Sequence, residues 1–431
     1  MIGNPPYIQL QDEGGKLAKL YRQAKFNTFS NMGDIYQLFY EKGIDLLKKK
    51  GHLCYITSNK WMRAGYGETS RKYFAEQSQP KILIDLAGEK IFENATVDVN
   101  ILLLQKTAYT QSTCALRGGL DCLENRSDLL ERKNEAVNII FPHNSSWVIL
   151  SPMEQRIKEK IEKVGVPLKD WDIQINYGIK TGCNEAFIID KAKKDELIAL
   201  SPNSVDIIRP ILRGRDIKRY GYDFAHLYLI GTFPSKKYNI DDYPSIKNYL
   251  LNFGKTDISH LSKYGIDCWG KKRLEQSGNK GSRKKTHNKW FELQDSIAYW
   301  DDFSKPKILF QEIVQEGEFM IDSKGKFFCN DTGRIITGKA IKFLLGVLNS
   351  KLFFFAIKYF YGGGLLGENG VRMKHTFFEN FPCIEENAHI KQLVDTVTSE
   401  NIKEVSREID HKVYELYGLT DDEINFVETM H

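Results

Sequence analysis

The chain has 431 residues, 42% hydrophobic and 27% charged, with a formal net charge of +5. That is too long for one ordinary core and too apolar for a disordered chain; it suggests two or three domains and admits a nucleic-acid partner without demanding one. No run reaches the length of a membrane span, no signal peptide opens the chain, and no CxxC pair occurs among the seven cysteines, which points to a reducing cytoplasm and away from a zinc site or disulfide framework.

From Asp34 to Lys50 the residues Ile35, Leu38, Phe39, Leu46 and Leu47 fall on one helical stripe, and Lys48-Lys49-Lys50-Gly51 ends it. His52 to Thr57 reads as a strand, and the stretch from about Lys60 to Phe74 as a helix. Lys81 to Leu86 and Val99 to Gln105 read as strands whose apolar runs predict burial on both faces. This alternation predicts a doubly wound α/β domain over residues 1–107. A complete open sheet of that kind has about six strands, and only three are legible. The reading therefore expects a partial, Rossmann-like parallel sheet with an unpaired edge beside residues 4–7.

A polar stretch from Thr107 to Arg132 reads as a connector, and Pro152 to Lys163 as a charged helix; together they give a linking region, 108–165. Residues 166–385 mix short strands, Gly turns and scattered aromatics, the pattern of an α+β domain. A C-terminal helical segment, 386–431, follows. There Ile390, Leu393, Val394 and Val397 form one stripe, Val405, Ile409, Val413 and Leu416 another, and Thr420 with Glu423 makes a capping box.

The tetrapeptide Asn4-Pro5-Pro6-Tyr7 carries the clearest chemistry. Two prolines stiffen the backbone and leave its carbonyls unshared with local N–H donors. The Asn oxygen and a Pro carbonyl can each accept one N–H of an exocyclic amine, while the Tyr ring offers a stacking face to the ring bearing that amine. A stiff Pro-Pro turn at a strand end is the plainer alternative.

Asn4-Pro5-Pro6-Tyr7 is similar to the catalytic motif of amino-group methyltransferases that use S-adenosylmethionine. The stretches Gly33-Asp34-Ile35-Tyr36-Gln37-Leu38-Phe39, Gly51 to Trp61, Tyr66-Gly67 and Arg71 resemble TaqI-type adenine-N6 DNA methyltransferases and fused restriction–modification enzymes. Ile91 to Val97 looks like a later family motif, whose aromatic stacks on the second face of an extruded adenine; Phe92 is the matching position. Ile175 to Phe187, Arg209 to Tyr220, Lys305 to Ile308, Leu348 to Lys351 and Phe381-Pro382 resemble a TaqI-like C-terminal specificity domain. The resemblance implies a class I methyltransferase fold, a target-recognition domain, base flipping, and a phage-defence or restriction role. It also implies S-adenosylmethionine for the complete enzyme. The family's cofactor motif precedes Asn-Pro-Pro-Tyr, so this chain is expected to bind the cofactor poorly and to need the missing N-terminal half or another subunit. Gly362-Gly363-Gly364 is not flanked by a strand and helix and is no substitute.

Double-stranded DNA is the expected partner of the second half. Arg213, Arg215, Lys218 and Arg219 cluster around one turn, and Lys280, Arg283, Lys284 and Lys285, preceded by Lys271, Lys272 and Arg273, form a second cluster flanked by Trp269 and Trp290. Arg372 and Lys374 are a third candidate, and Lys180 and Asn184 a fourth. Lys and Arg on flexible loops suit phosphates, and Arg can pair bidentately with guanine; a solvated charged loop is the alternative for any single cluster. A non-catalytic DNA-specificity module and a protein-glutamine methyltransferase are the competing functions. No metal is expected.

Overall fold

The computed structural model describes residues 1–86, 91–92, 97–110, 112–118, 137–141, 146–362, 365–366, 370–373 and 375–430. They form two compact units: Met1–Lys163 with Phe355–Arg372 and Leu419–Met430, and Val164–Phe354 with Met373–Gly418.

The first unit is built on six strands: β1 (Ile2–Gly3), β2 (His52–Ser58), β3 (Gln79–Asp85), β4 (Val99–Gln105), β5 (Thr113–Arg117) and β6 (Val137–Ile139). Their order is β1-β2-β4-β3-β5-β6, so among the described residues β1 is an edge strand, and residues 4–7 follow it in the chain. The sheet is mixed, which corrects the expected parallel one. Only β1 with β2 and β3 with β5 run parallel; β4 is antiparallel to both its neighbours, and β6 to β5. An apolar run reports burial on both faces and carries no information on direction. The three strands missed in the sequence, β1, β5 and β6, are two to five residues long and too short to show a period. Of these, β5 falls within the stretch read as a connector, and β6 lies just beyond it.

Helices α2 (Ile35–Leu46) and α3 (Glu68–Gln77) pack on this sheet, and α1 (Asp12–Gln23) packs on α2 through Ala18, Ile35 and Leu38. Helix α2 buries Tyr36, Leu38, Tyr40 and Ile44 and stops at Leu46, before the lysine run. The single helix expected from about Lys60 begins instead as two 3-10 turns, Asn59–Met62 and Gly65–Gly67, before α3. Gly67 explains the break: a Cβ there would stand 1.9 Å from the Trp61 carbonyl oxygen. Buried Arg71 then ties the turns down, donating to the carbonyls of Trp61 at 2.6 Å and Ala64 at 3.0 Å. Trp61 fills the core edge-on to Phe74 and Trp147, with centroids 5.1 and 5.3 Å away. The unit also holds helix α4 (Pro152–Val164), whose Lys160 pairs with buried Glu423 at 2.7 Å.

The second unit has two four-stranded sheets. One is antiparallel, in the order Phe319–Asp322, Lys307–Gln311, Gly333–Gly338, Ile173–Tyr177. The other is mixed: Phe328–Cys329 runs parallel to Ile208–Leu212, followed by antiparallel Leu227–Ile230 and Ile188–Asp190. One continuous core, from Ile179 and Phe187 through Leu212, Leu274 and Phe303 to Ile335, joins their faces. The helices Ala388–Thr396 and Ile402–Leu416 present the two apolar stripes read from the sequence, burying Ile390, Val394, Val405, Ile409 and Val413.

Candidate active site and nucleic-acid interface

Strand β1 delivers Asn4, Pro5, Pro6 and Tyr7 to the rim of the first unit. Asn4 and Pro6 are exposed, Pro5 is buried and Tyr7 half-buried. The Tyr7 hydroxyl donates to the Ile56 carbonyl of β2 at 3.3 Å, and its ring meets Tyr36 edge-on with centroids 6.0 Å apart. Phe92 faces Tyr7 with a centroid separation of 6.4 Å and an interplanar angle of 56°. Phe92 itself packs on the Ile84, Leu86 and Val99 cluster. The two aromatics singled out in the sequence, 85 positions apart, thus meet at one place. They form a wedge; sandwiching a flat ring needs parallel faces about 7 Å apart, twice a carbon–carbon contact.

Asp34 holds this rim together. Its carboxylate accepts from the Ile8 N–H at 2.9 Å, Leu10 N–H donates to Gly33 O at 3.0 Å, and Ile35 N–H to Ile8 O at 3.0 Å. Asp34 is also the N-cap of α2, with Gln37 Oε1 accepting from its N–H at 2.9 Å. Sequence reading assigned Asp34 no role, although an Asp followed three positions later by Gln before an apolar stripe is a capping-box signature. Burial first, and the Asp34 charge second, push the Tyr7 phenol up to about 12.

Among the described residues of this unit, no strand end matches the cofactor-binding turn of the family motif. Strand β1 runs into Asn-Pro-Pro-Tyr and β2 into a 3-10 turn, and neither enters a Gly-rich turn that opens a helix.

The basic candidates divide by environment. Lys180, Arg215, Lys284 and Lys285 are exposed; Lys218, Arg219 and Arg372 are half-buried. Asn184 is exposed, and its side-chain oxygen accepts from the Thr181 hydroxyl at 2.6 Å. Arg213 forks onto Asp216, with Nη2–Oδ1 at 2.7 Å and Nε–Oδ2 at 2.9 Å, so its charge is already compensated within the turn. Arg283 departs furthest from a phosphate contact. It is 2% exposed and donates to three carbonyls: Leu274 at 2.8 Å, Thr181 at 2.8 Å and Trp290 at 2.7 Å. In this arrangement it is a staple inside the fold. Arg372 belongs to the first unit, and Lys374 lies outside the described residues.

Residues 1–92 match the sequence model of the Eco57I restriction-modification methylase, and residues 209–382 that of the TaqI-like C-terminal specificity domain. The type II methyltransferase M.BstVI of Geobacillus stearothermophilus is 21% identical over 99% of this chain and 74% of its own length. M.PaeR7I of Pseudomonas aeruginosa is 20% identical over 98% of this chain and 71% of its own length. Among solved structures, the type IIL restriction-modification enzyme MmeI in complex with DNA shares the fold, with a TM-score of 0.58 at 13% identity over 98% of this chain. The chain spans 55% of that structure's length. The chain therefore carries an Eco57I restriction-modification methylase domain followed by a TaqI-like C-terminal specificity domain, and type II methyltransferases are its homologues.

Proposed function

We propose that the complete protein methylates the N6 amino group of adenine at specific sites in duplex DNA, as part of a restriction–modification or phage-defence system. The observation that carries this reading is the meeting of Tyr7 and Phe92 beside exposed Asn4. An adenine amino group is out of reach inside a duplex, so the base is flipped out at a cost of a few kcal/mol. The Tyr7–Phe92 wedge opens to take the base, and stacking offsets roughly 1–3 kcal/mol of that cost. The Asn4 side-chain oxygen and a carbonyl of Pro5 or Pro6 then accept the two amino hydrogens and aim the nitrogen lone pair. This is alignment chemistry and calls for neither a strong base nor a metal.

The TaqI-like domain reads the sequence, with Lys180, Arg215, Lys218, Arg219, Lys284 and Lys285 as its candidate DNA contacts. The methyl donor of the complete enzyme is S-adenosylmethionine. No strand end described above forms the family's cofactor-binding turn, so a further part of the protein or a partner subunit holds it. Calorimetric titration of the 431-residue chain is expected to show no tight binding.

The experiment is nucleoside analysis of DNA from cells expressing the complete gene. N6-methyladenine above background, lost on Asn4→Ala, is the expected result. Methylated cytosine instead, or unmodified DNA from a folded and expressed protein, overturns the assignment; the latter favours a non-catalytic specificity module.

A further inference from the structure

The buried Arg283 staple builds a second feature. By bonding Thr181 O and Leu274 O at once, it clamps the basic loop around residue 283 to the segment that carries Lys180. Gly182 makes the clamp possible: it adopts φ +77°, and a Cβ there would lie 3.0 Å from the Arg283 side chain and 2.5 Å from Gln294 Oε1. On the same side the Lys180 carbonyl accepts from the Asp295 N–H at 3.3 Å. Beside this clamp lies an open cleft of about 970 Å³, lined by Lys285 to Asn288 and by Gln294 to Tyr299.

The cleft walls are held by their own hydrogen bonds. The Thr286 hydroxyl donates to Gln276 at 2.6 Å, and Asn288 Nδ2 donates to the carbonyls of Leu293 at 3.1 Å and Gln294 at 2.8 Å. The groups left exposed are Lys285, His287, Asp295 and Ser296. Among the described residues the Asp295 carboxylate forms no ion pair. A carboxylate is out of place in a groove that only tracks phosphates, because it repels them. It is well placed against a base edge that presents an N–H donor. In the major groove, Asp and Glu accept from the exocyclic amino group of cytosine.

We infer that this cleft is a base-reading site, in which Asp295 selects cytosine at one position of the recognition sequence while Lys284 and Lys285 hold the adjoining phosphates. The inference rests on the reading of the second unit as a DNA-specificity domain. A rigid mount is what such a contact needs, and the buried staple supplies it.

The test is selection of binding sites from a randomised duplex pool by the full chain and by its Asp295→Ala and Asp295→Asn variants. Asp295 is exposed, so both variants are expected to fold, which thermal melting checks. The inference predicts that the parent chain enriches a defined sequence. Both variants lose preference for one C·G pair by on the order of ten- to a hundredfold, with no change in the salt dependence of binding. Identical motifs from parent and variants overturn the assignment of Asp295 while leaving the specificity-domain reading intact. A parent chain that enriches no sequence removes that reading, and this inference with it.

Discussion

The Ile8 backbone N–H donates to the Asp34 carboxylate at 2.9 Å, so the residue that caps helix α2 also fixes the chain that leaves Asn-Pro-Pro-Tyr. One side chain thereby ties the residue after Asn-Pro-Pro-Tyr to the start of helix α2. Asp34→Ala removes a cap and a charge-assisted hydrogen bond together and is expected to cost about 1–2 kcal/mol. Asp34→Asn, which keeps an acceptor, is expected to cost about half as much. Urea denaturation with constant m-value reads both; two variants as stable as the parent would show that the contact holds nothing.

Tyr7 titrates late. Its phenol is pushed up to about 12 by burial and, second, by Asp34. The folded pKa lies above the unfolded value of about 10. The stabilisation is therefore complete below pH 10 and is lost as pH rises through 12. The difference in ultraviolet titration between the parent chain and Tyr7→Phe is expected to show this late ionisation. Asp34→Asn should lower it only in part, because burial is the larger cause. A Tyr7 that ionises at an ordinary pH would mean the ring is solvated and not in the wedge.

Arg283 and its two neighbours should separate cleanly. Arg283→Ala strips donors from two buried carbonyls and one half-buried one and is expected to destabilise by roughly 3 kcal/mol or more. Lys284→Ala with Lys285→Ala should leave the melting temperature unchanged. It should reduce the slope of log affinity against log salt by about 2, near 0.9 per phosphate contact. Equal effects of both changes on stability and slope would contradict the division between staple and contact.

Gly67→Ala forces a Cβ into the Trp61 carbonyl and is expected to destabilise by about 1–3 kcal/mol through strain in the turns before α3. Denaturant unfolding measures this; tolerance of alanine would show that the turn relaxes freely.

What the sequence displayed was periodicity and residue chemistry. Strand β4 appears at its predicted bounds, Val99 and Gln105, because seven residues are enough to show an apolar run. The antiparallel direction of β4 left no trace, since an apolar run reads the same either way; the burial on both faces it suggested is met on one face only, where Leu102 and Leu104 are buried while Ile101 and Leu103 are half-buried. Strand β1 has two residues and is defined only by pairing with Cys54 and Tyr55, far along the chain. The pairing of Tyr7 with Phe92 came from family resemblance; the ring distance itself is a tertiary contact across 85 positions. Arg283 looked like its neighbours Lys284 and Lys285 in a charge count. What separates them is an acceptor, Thr181 O, 102 positions away. Asp34 was legible in principle, through its capping box, but its second bond to Ile8 is tertiary.

The most direct measurement compares single-turnover methylation by the complete enzyme on two duplexes, one with the target adenine paired and one with it opposite an abasic site. Asn4→Ala should lose roughly a hundredfold or more on both, as expected for a group that aims the amine in the transition state. Tyr7→Ala and Phe92→Ala should lose roughly tenfold on the paired duplex, the worth of one stacking face. Both should recover much of that on the abasic duplex, where flipping costs less. Near-normal turnover by Asn4→Ala on paired adenine would contradict the account and leave Asn-Pro-Pro-Tyr as a stiff turn at a sheet edge.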